Sequence, residues 1–503
     1  MIANVSRVLY LLIAALGMLA FGASPAAAHL DFVGSNPEDG QIVKGELSSV
    51  SLTFTVPAEP AGSGFQILDN EGTKIPLDIS KQRSGEKWVL TPRDALTGGR
   101  YGVKWRVTAP DTHPKEGAFR FTIENQAGPA GSPQAPPATS ALDEALSPAD
   151  TTTAETIRWL GSAAALLGIL LALGAIIFLA FVMVGRPAEL TRIMKIIRWS
   201  GMLVVFGTIV QVLGRSAVQQ EGDWAAALTP EALVDLLSMS GFGWFVLLRI
   251  VGGLLLFTGA TAAVLPRNEE TAGPSVDEST ARMVRPNVRG IPWALLGALL
   301  TGVSFLLDGH TATVQLWVLV WLSDLAHVLA AAAWAGGLAM LAVVLGQRRA
   351  AGHPLDPAHL AVKFSVVAAA GLTIAGLAGF ALTVQILDYP AQLWETVWGR
   401  TLIAKVLLVG VVAAFGAYNH LRLVPMLEAS FESRRAPAED SATASRHDVP
   451  QESTAVQLAE KTQSQLAVER VGRRLRATAW VELSLLVAVV GLTALLISSS
   501  PSA

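Results

Sequence analysis

The chain has 503 residues, 51% of them hydrophobic and only 15% charged, a balance too apolar for an ordinary soluble globule and suited to a lipid bilayer. A formal charge of −3, with no basic tract or base-stacking motif, excludes nucleic acid as a partner. The absence of cysteine excludes disulfides, zinc ribbons, iron–sulfur clusters and thiolate copper relays, so any metal chemistry must use His, Asp, Glu, Met or backbone.

Residues 1–28 carry one basic residue, Arg7, then an apolar run of about a dozen residues from Val8 and the small-residue end Ala26-Ala27-Ala28. This is the pattern of a signal peptide, with an apolar core short for a membrane span. Cleavage after Ala28 would make His29 the new N-terminus, offering its ring and its freed α-amine at once; an uncleaved anchor would leave it without the amine.

Residues 29–124 alternate apolar and polar side chains in short runs, clearest over Val50–Val56, Tyr101–Val107 and Phe119–Ile123. Gly62-Ser63-Gly64, Asp69-Asn70-Glu71-Gly72 and Thr97-Gly98-Gly99 supply turns. Short strands without helix signals predict an all-β sandwich of immunoglobulin-like type or a small barrel. Within it, Asp111-Thr112-His113 lies between Pro110 and Pro114, which disfavour helix and leave the segment extended. Residues two apart then share a face. An amine, two imidazoles and a carboxylate would make a tetragonal nitrogen and oxygen set suited to Cu(II). Taken alone, a D-x-H in an exported loop reads more simply as a solvated turn.

Residues 125–154 are rich in Pro, Gly, Ser and Ala and have no hydrophobic period, which predicts a flexible linker able to let the sandwich swing over the membrane surface. Residues 155–503 form the expected membrane domain, an all-α polytopic bundle. Its eight apolar runs, Ile157–Val184, Ile196–Val218, Gly243–Leu265, Ile291–Leu307, Leu316–Leu345, Phe364–Leu387, Thr401–Val424 and Thr478–Ser498, have about the 20 residues a bilayer crossing needs. Arg186, Arg192, Lys195 and Arg198 follow the first run; Arg267, Arg282, Arg285 and Arg289 the third; Arg348, Arg349 and Lys363 the fifth; Arg434, Arg435, Arg473, Arg474 and Arg476 the seventh. One threading makes all four connections cytoplasmic and the sandwich external, as its signal peptide independently requires. Asp223-Trp224 with Glu231 and Asp235 would lie along the outer interface as a short amphipathic helix, and residues 428–465 should be disordered in the cytoplasm.

Ionisable residues within the fifth run draw notice, because such groups cost about 2.5–3.5 kcal/mol or more at the bilayer centre and rarely face lipid. His327 lies roughly 15 Å in from the outer end and Asp324 one turn above it on the same face. With Asp308 and His310 just before that run, they would form a descending line of donors. The alternative is structural: Asp324 and His327 buried against Arg249 or Lys405 of neighbouring helices, though either cation could instead snorkel outward. Gly336-Gly337 and Gly371, Gly376 and Gly379 are expected to permit close helix packing.

Two resemblances cover nearly all of this chain. His29-Leu30-Asp31-Phe32 through Gly40, Trp105 through His113 and Gly117 through Ile123 resemble CopC, the periplasmic copper-binding domain of bacterial copper-handling systems. That family has an N-terminal His and a D-G-H before its final F-x-F strand; Thr112 stands here in place of the usual Gly. The resemblance implies that His29, Asp111 and His113 are Cu(II) ligands. No Met occurs between His29 and Glu124, so a methionine-rich Cu(I) segment is not expected. His327 with Trp334 and Gly336-Gly337-Leu338, Gly399 through Lys405 with Tyr418-Asn419, and Glu482-Leu483-Ser484 are similar to CopD, the inner-membrane copper protein. Where that family often has Asn-Arg, this chain has Asn419-His420. Together they imply a CopC–CopD fusion of YcnJ type in the inner membrane of a bacterium.

The expected function is Cu(II) capture outside the membrane and copper transport through the bundle, with copper ions, the lipid bilayer and periplasmic copper donor proteins as partners. No Walker-type motif is present to drive it with ATP. Sequestration without transport is the second reading. A redox enzyme, as a histidine brace or a haem reductase, is the third; Asp111 would occupy the position a brace needs open, and no facing pair of membrane histidines offers haem axial ligands.

Overall fold

The computed structural model describes residues 30–108, 114–124, 141–238, 242–261, 284–307, 317–351, 357–387, 389–423, 425–426 and 451–499. The expected two-residue period is realised in β3 (Val50–Phe54), where Val50, Leu52 and Phe54 are buried and the residues between them half-exposed. One sheet runs β1 (Phe32–Asn36), β3, β7 (Lys87–Pro92), β6 (Leu77–Gln82). The other runs β2 (Gln41–Lys44), β9 (Pro114–Glu124), β8 (Gly99–Thr108), β4 (Glu59–Leu68), β5 (Lys74–Ile75). Only the β2–β9 pair is parallel. The inner faces meet in an aromatic core: Phe54 meets Trp105 edge-on and Phe65 tilts against Trp88, each with ring centroids 5.3 Å apart. Such contacts add roughly 0.5–1.5 kcal/mol to the burial of the rings. This is the sandwich the alternation predicts.

The expected linker is only partly a linker. Residues 125–140 lie outside the described residues, but α1 (Ala141–Leu146) folds onto the sandwich. Leu142 and Leu146, one turn apart on one face, are buried with Leu68. Asp143 takes an ion pair from Arg120 at 2.8 Å, and the Lys104 ammonium donates to the Ser147 carbonyl at 2.9 Å. Two leucines at helical spacing over the face of β4 and β8 outweigh the local polarity on which the linker expectation rested.

Eight apolar helices answer the eight apolar runs. They are α2 (Thr152–Phe181), α3 (Pro187–Gln219), α6 (Phe242–Gly259), α7 (Pro292–Leu307), α8 with α9 (Trp317–Ala331, Gly337–Ala350), α10 (Pro357–Ile386), α12 (Val397–Tyr418) and the C-terminal part of α13 (Gln451–Ser498). Seven are long and apolar enough to cross a membrane; α7, with 16 residues, is the shorter one. Short helices α4 (Trp224–Ala227) and α5 (Pro230–Ser238) follow α3, where the interfacial helix was expected, and α11 (Gln392–Glu395) precedes α12. Arg192, Lys195 and Arg198 sit on α3 itself, which begins earlier than the apolar run. The second half of the stretch expected to be disordered is also helical, since α13 begins at Gln451. No proline interrupts the chain from Gln451 to Ser498, so the helix continues unbroken into the membrane. Residues 428–450 lie outside the described residues.

Glycines set the closest crossings. A Cβ on Gly174 would collide with the Ala332 carbonyl oxygen, and one on Gly336 with the Leu170 carbonyl oxygen, so α2 meets the fifth span backbone to backbone. Gly371 approaches Ala330 and Gly379 the His327 ring, as expected of a packing set, but Gly376 has open space around it. At this crossing α8 and α9 are joined by a π-helical turn, Ala332–Gly336, and a second π-turn, Asn419–Leu423, ends α12. The inner end is fastened by a buried pair in which the Arg348 Nε donates to Glu189 at 2.8 Å, with both side chains 4% exposed.

The sandwich rests on the outer end of α3. Arg106 is 3% exposed, pairs with Glu116 at 2.7 Å and donates to the Val218 carbonyl, one of the last in α3. The Ser63 amide donates to the Glu221 carboxylate at 3.1 Å. Burial opposes the charged form of Glu221, but the Ser63 hydrogen bonds and the positive charges of Arg106 and Lys104 outweigh it and hold its carboxyl below the ordinary value of 4.5. A depressed value means that this contribution is complete above pH 4.5 and is lost as the pH falls below it. Protection of the Ser63 amide in hydrogen exchange, corrected for intrinsic rate, is therefore expected to hold from neutral pH down to about 5 and to fall only in more acid solution.

Candidate functional site

At the outer end, three of the expected ligands, His29, Asp111 and His113, lie outside the described residues, as do Asp308 and His310. What the structure places is their chain neighbours. Leu30 is buried, the Asp31 amide donates to the Thr55 hydroxyl at 2.8 Å, and Thr55 donates back to the Asp31 carbonyl at 3.0 Å. Phe32 then stacks on Trp105 at 5.3 Å and on Phe119 at 6.2 Å, pinning β1 over the β8–β9 hairpin. The Lys115 ammonium pairs with Asp31 at 2.7 Å. His29 and His113 each stand two residues from a member of this pair, within roughly 7 Å of chain. Two segments 84 residues apart in sequence are thus brought side by side. The Asp31–Lys115 pair is itself partly exposed and worth little stability; its meaning is positional.

Within the bundle, Asp324 and His327 are half-buried on α8. The His327 Nδ1 lies 2.8 Å from the Ala375 carbonyl oxygen of α10. That oxygen can only accept, so in the neutral ring Nδ1 carries the proton and Nε2 keeps its lone pair, the disposition of a histidine oriented for a ligand. Gly379 leaves room for the ring: a Cβ there would stand 3.1 Å from its Cε1. Lys405, on α12, interacts electrostatically with Asp324 and His327. Asp324 lies roughly 10 Å along α8 and Lys405 roughly 12 Å along α12 from their outer ends, so the two charges share a level.

Of the two cations weighed as structural partners, Lys405 interacts electrostatically with Asp324, whereas Arg249 serves another group. It is 1% exposed, donates to Gln211 at 2.9 Å and Ser304 at 3.2 Å, and lies 4.0 Å from the centre of the Phe305 ring. It does not snorkel. Gln211 and Ser304 are polar positions on otherwise apolar runs, and that signal was open to sequence reasoning.

Toward the other end of α12, a second polar group forms around the π-turn. The Asn419 amide donates to the Glu482 carboxylate, and the Thr478 hydroxyl donates to the Asn419 carbonyl oxygen at 2.7 Å. Glu482 is only 2% exposed. Asn419 thus ties α12 to α13 through side-chain hydrogen bonds, while His420 is exposed. Among the described residues no three His, Cys, Asp or Glu side chains assemble as a metal cluster.

Comparison with known proteins matches the family "CopC domain" at residues 32–124 and the family "Copper resistance protein D" at residues 358–496. The second match begins after His327 but includes Ala375, Lys405, Asn419 and Glu482. The Copper transport protein CutJ of Bacillus subtilis (strain 168) is 22% identical over 406 residues, 80% of this chain and 70% of that protein. Copper resistance protein C of Xanthomonas campestris pv. juglandis is 28% identical over 106 residues, 20% of this chain and 83% of that protein. The crystal structure of CopC from Methylosinus trichosporium OB3b aligns at 27% identity with 20% of this chain and 100% of its own, with a TM-score of 0.19.

Proposed function

Because this chain joins a CopC domain to a CopD domain, we propose that it captures Cu(II) at the periplasmic face of a bacterial inner membrane and passes copper across through the helical bundle. His29, with its amine and ring, His113 and Asp111 are the proposed Cu(II) ligands of the sandwich. Asp324 and His327 are the proposed stations inside the bundle, with Asp308 and His310 above them. The observation that carries the reading is His327 itself: a histidine at membrane depth whose Nδ1 is occupied by a backbone carbonyl and whose Nε2 is left for a ligand, one turn below a carboxylate. A relative that spans most of this chain bears the name of a copper transport protein.

The chemistry is binding and transfer, and no bond of a substrate need be made or broken. Cu(II) suits the nitrogen and oxygen donors of the sandwich, and in the bundle imidazole and carboxylate are the donors at hand. Periplasmic copper donor proteins are proposed to load the sandwich. A chain that only sequesters copper would have no use for a ligand-ready histidine at this depth.

The test is copper uptake, by mass spectrometry, in cells making the intact chain or its His29→Ala variant. Uptake by the variant is expected to fall roughly 10–100-fold at limiting external copper, with a changed Cu(II) spin-resonance spectrum of the purified protein. An unchanged spectrum would remove His29 from the site. Deletion of the gene should lower cell copper; unchanged or raised copper would favour sequestration instead.

A further inference from the structure

The sandwich and the bundle touch through side chains that the copper-handling reading leaves without a role. Arg106 is nearly fully buried although it belongs to an exported β-strand, and its guanidinium is divided between Glu116 on the facing strand and the Val218 carbonyl of α3. The last carbonyls of a helix have no partner in the helix and carry its negative dipole end, so a cation there is well placed. Here the cation arrives from another domain. Beside it, Gly62 has φ +55, which L side chains rarely adopt, and a Cβ at that position would collide with the Gln219 carbonyl oxygen. Glu221 also has a positive φ, 56, and its carboxylate receives the Ser63 amide. A buried arginine, a left-handed glycine and the Ser63 amide of the sandwich thus meet Val218, Gln219 and Glu221 at the α3 end.

The tether gives an independent argument. α1 is bound to the sandwich by Leu142, Leu146 and the Asp143–Arg120 pair, and α2 begins at Thr152. The free chain between them is therefore only Ser147 to Thr151, with a reach of roughly 17 Å even if fully extended. Gly222 presses on it as well, for a Cβ there would stand 2.7 Å from the Asp150 carbonyl oxygen. A sandwich held so close cannot sweep the membrane surface.

We propose that the outer end of α3, from Val218 to Gly222, is a docking surface for the sandwich, so that copper is presented to the bundle from one fixed pose. The delivery half of this statement rests on the transport reading; the docking half does not. Arg106 and Glu116 face each other across the β8–β9 hairpin, and the sequence between Thr108 and Pro114 contains Asp111 and His113, so the docked strands flank two of the three proposed ligands.

The cysteine-free sequence allows a clean test in the full-length chain. Ser63→Cys and Glu221→Cys are introduced together with a protease site in the 125–140 segment. The thiols are bridged in membranes with a short bis-methanethiosulfonate reagent, which reductant removes, before copper is supplied. The expected result is that the cleaved halves stay joined in most molecules, and that bridged protein imports copper within about twofold of the reduced protein. Failure of the two thiols to bridge, when each is labelled singly, would overturn the docking. Loss of uptake on bridging, restored by reductant, would overturn fixed-pose delivery and show that the sandwich must move. A second variant, Glu221→Arg on the Ser63→Cys, Gln220→Cys background, places a positive charge before Arg106 and Lys104 and is expected to lower the bridging yield at least fivefold; an unchanged yield would count against the contact as drawn. If reduced protein imports no copper while the thiols bridge efficiently, the docking surface stands and the transport reading falls.

Discussion

Replacing His327 with alanine is expected to reduce copper uptake by the intact chain roughly 10–100-fold while leaving the Cu(II) spin-resonance spectrum of the sandwich unchanged. The reasoning is geometric. His327 is fixed by the Ala375 carbonyl, and the room its ring needs is provided by Gly379. Alanine removes the free nitrogen without crowding that helix crossing, so the fold should survive. His327→Gln is the control for packing: it restores bulk and hydrogen-bonding capacity but not the imidazole, and uptake should remain low. Normal uptake by either variant would remove His327 from the path while leaving the outer domain untouched. Asp324 adds a second reading of the same site. It lies one turn above His327 on α8 and interacts electrostatically with Lys405 at the same level, so a copper ion reaching His327 would pass a carboxylate and an ammonium.

Glu189→Ala is expected to carry the largest stability cost of any single substitution at the end of the bundle away from the sandwich, about 3–5 kcal/mol. Removing one member of a buried ion pair leaves the other charge without compensation. Both side chains of the Glu189–Arg348 pair are 4% exposed, and Arg348 also donates to the Val184 carbonyl at 3.2 Å. Glu189 has a second task, accepting the Arg186 amide at 3.1 Å at the start of α3. The loss would appear as a lowered midpoint of unfolding in detergent. The double variant Glu189→Leu, Arg348→Met should recover much of it, because two apolar groups leave no charge stranded. If the single variant melts with the parent, the pair is not the inner fastening of α2, α3 and α9.

Much of the architecture follows from pattern. The buried positions Val50, Leu52 and Phe54 are legible as an alternation, and the eight apolar runs as helices, because strand and helix periods are local properties of the chain. The folding of residues 141–146 against β8 was not legible, since a pair of leucines in a polar stretch gains its burial only from a sheet face more than thirty residues upstream. The helix from Gln451 was missed because composition resembling disorder is equally good helix-forming composition once the chain is continuous with a membrane span.

By itself the sequence determined that a β-sandwich precedes a polytopic bundle, that thiolate chemistry is absent, and that histidines and carboxylates are the available donors. Tertiary structure alone decided which cation attends Asp324, that Arg249 is committed to Gln211 and Ser304, and that Arg106 reaches across to α3. The reason is that periodicity reports only which face of an element is buried. The partner a buried charge finds depends on the crossing of elements far apart in sequence, and here those crossings are set by close backbone contacts at Gly62, Gly174 and Gly336, where any side chain would hold the elements apart.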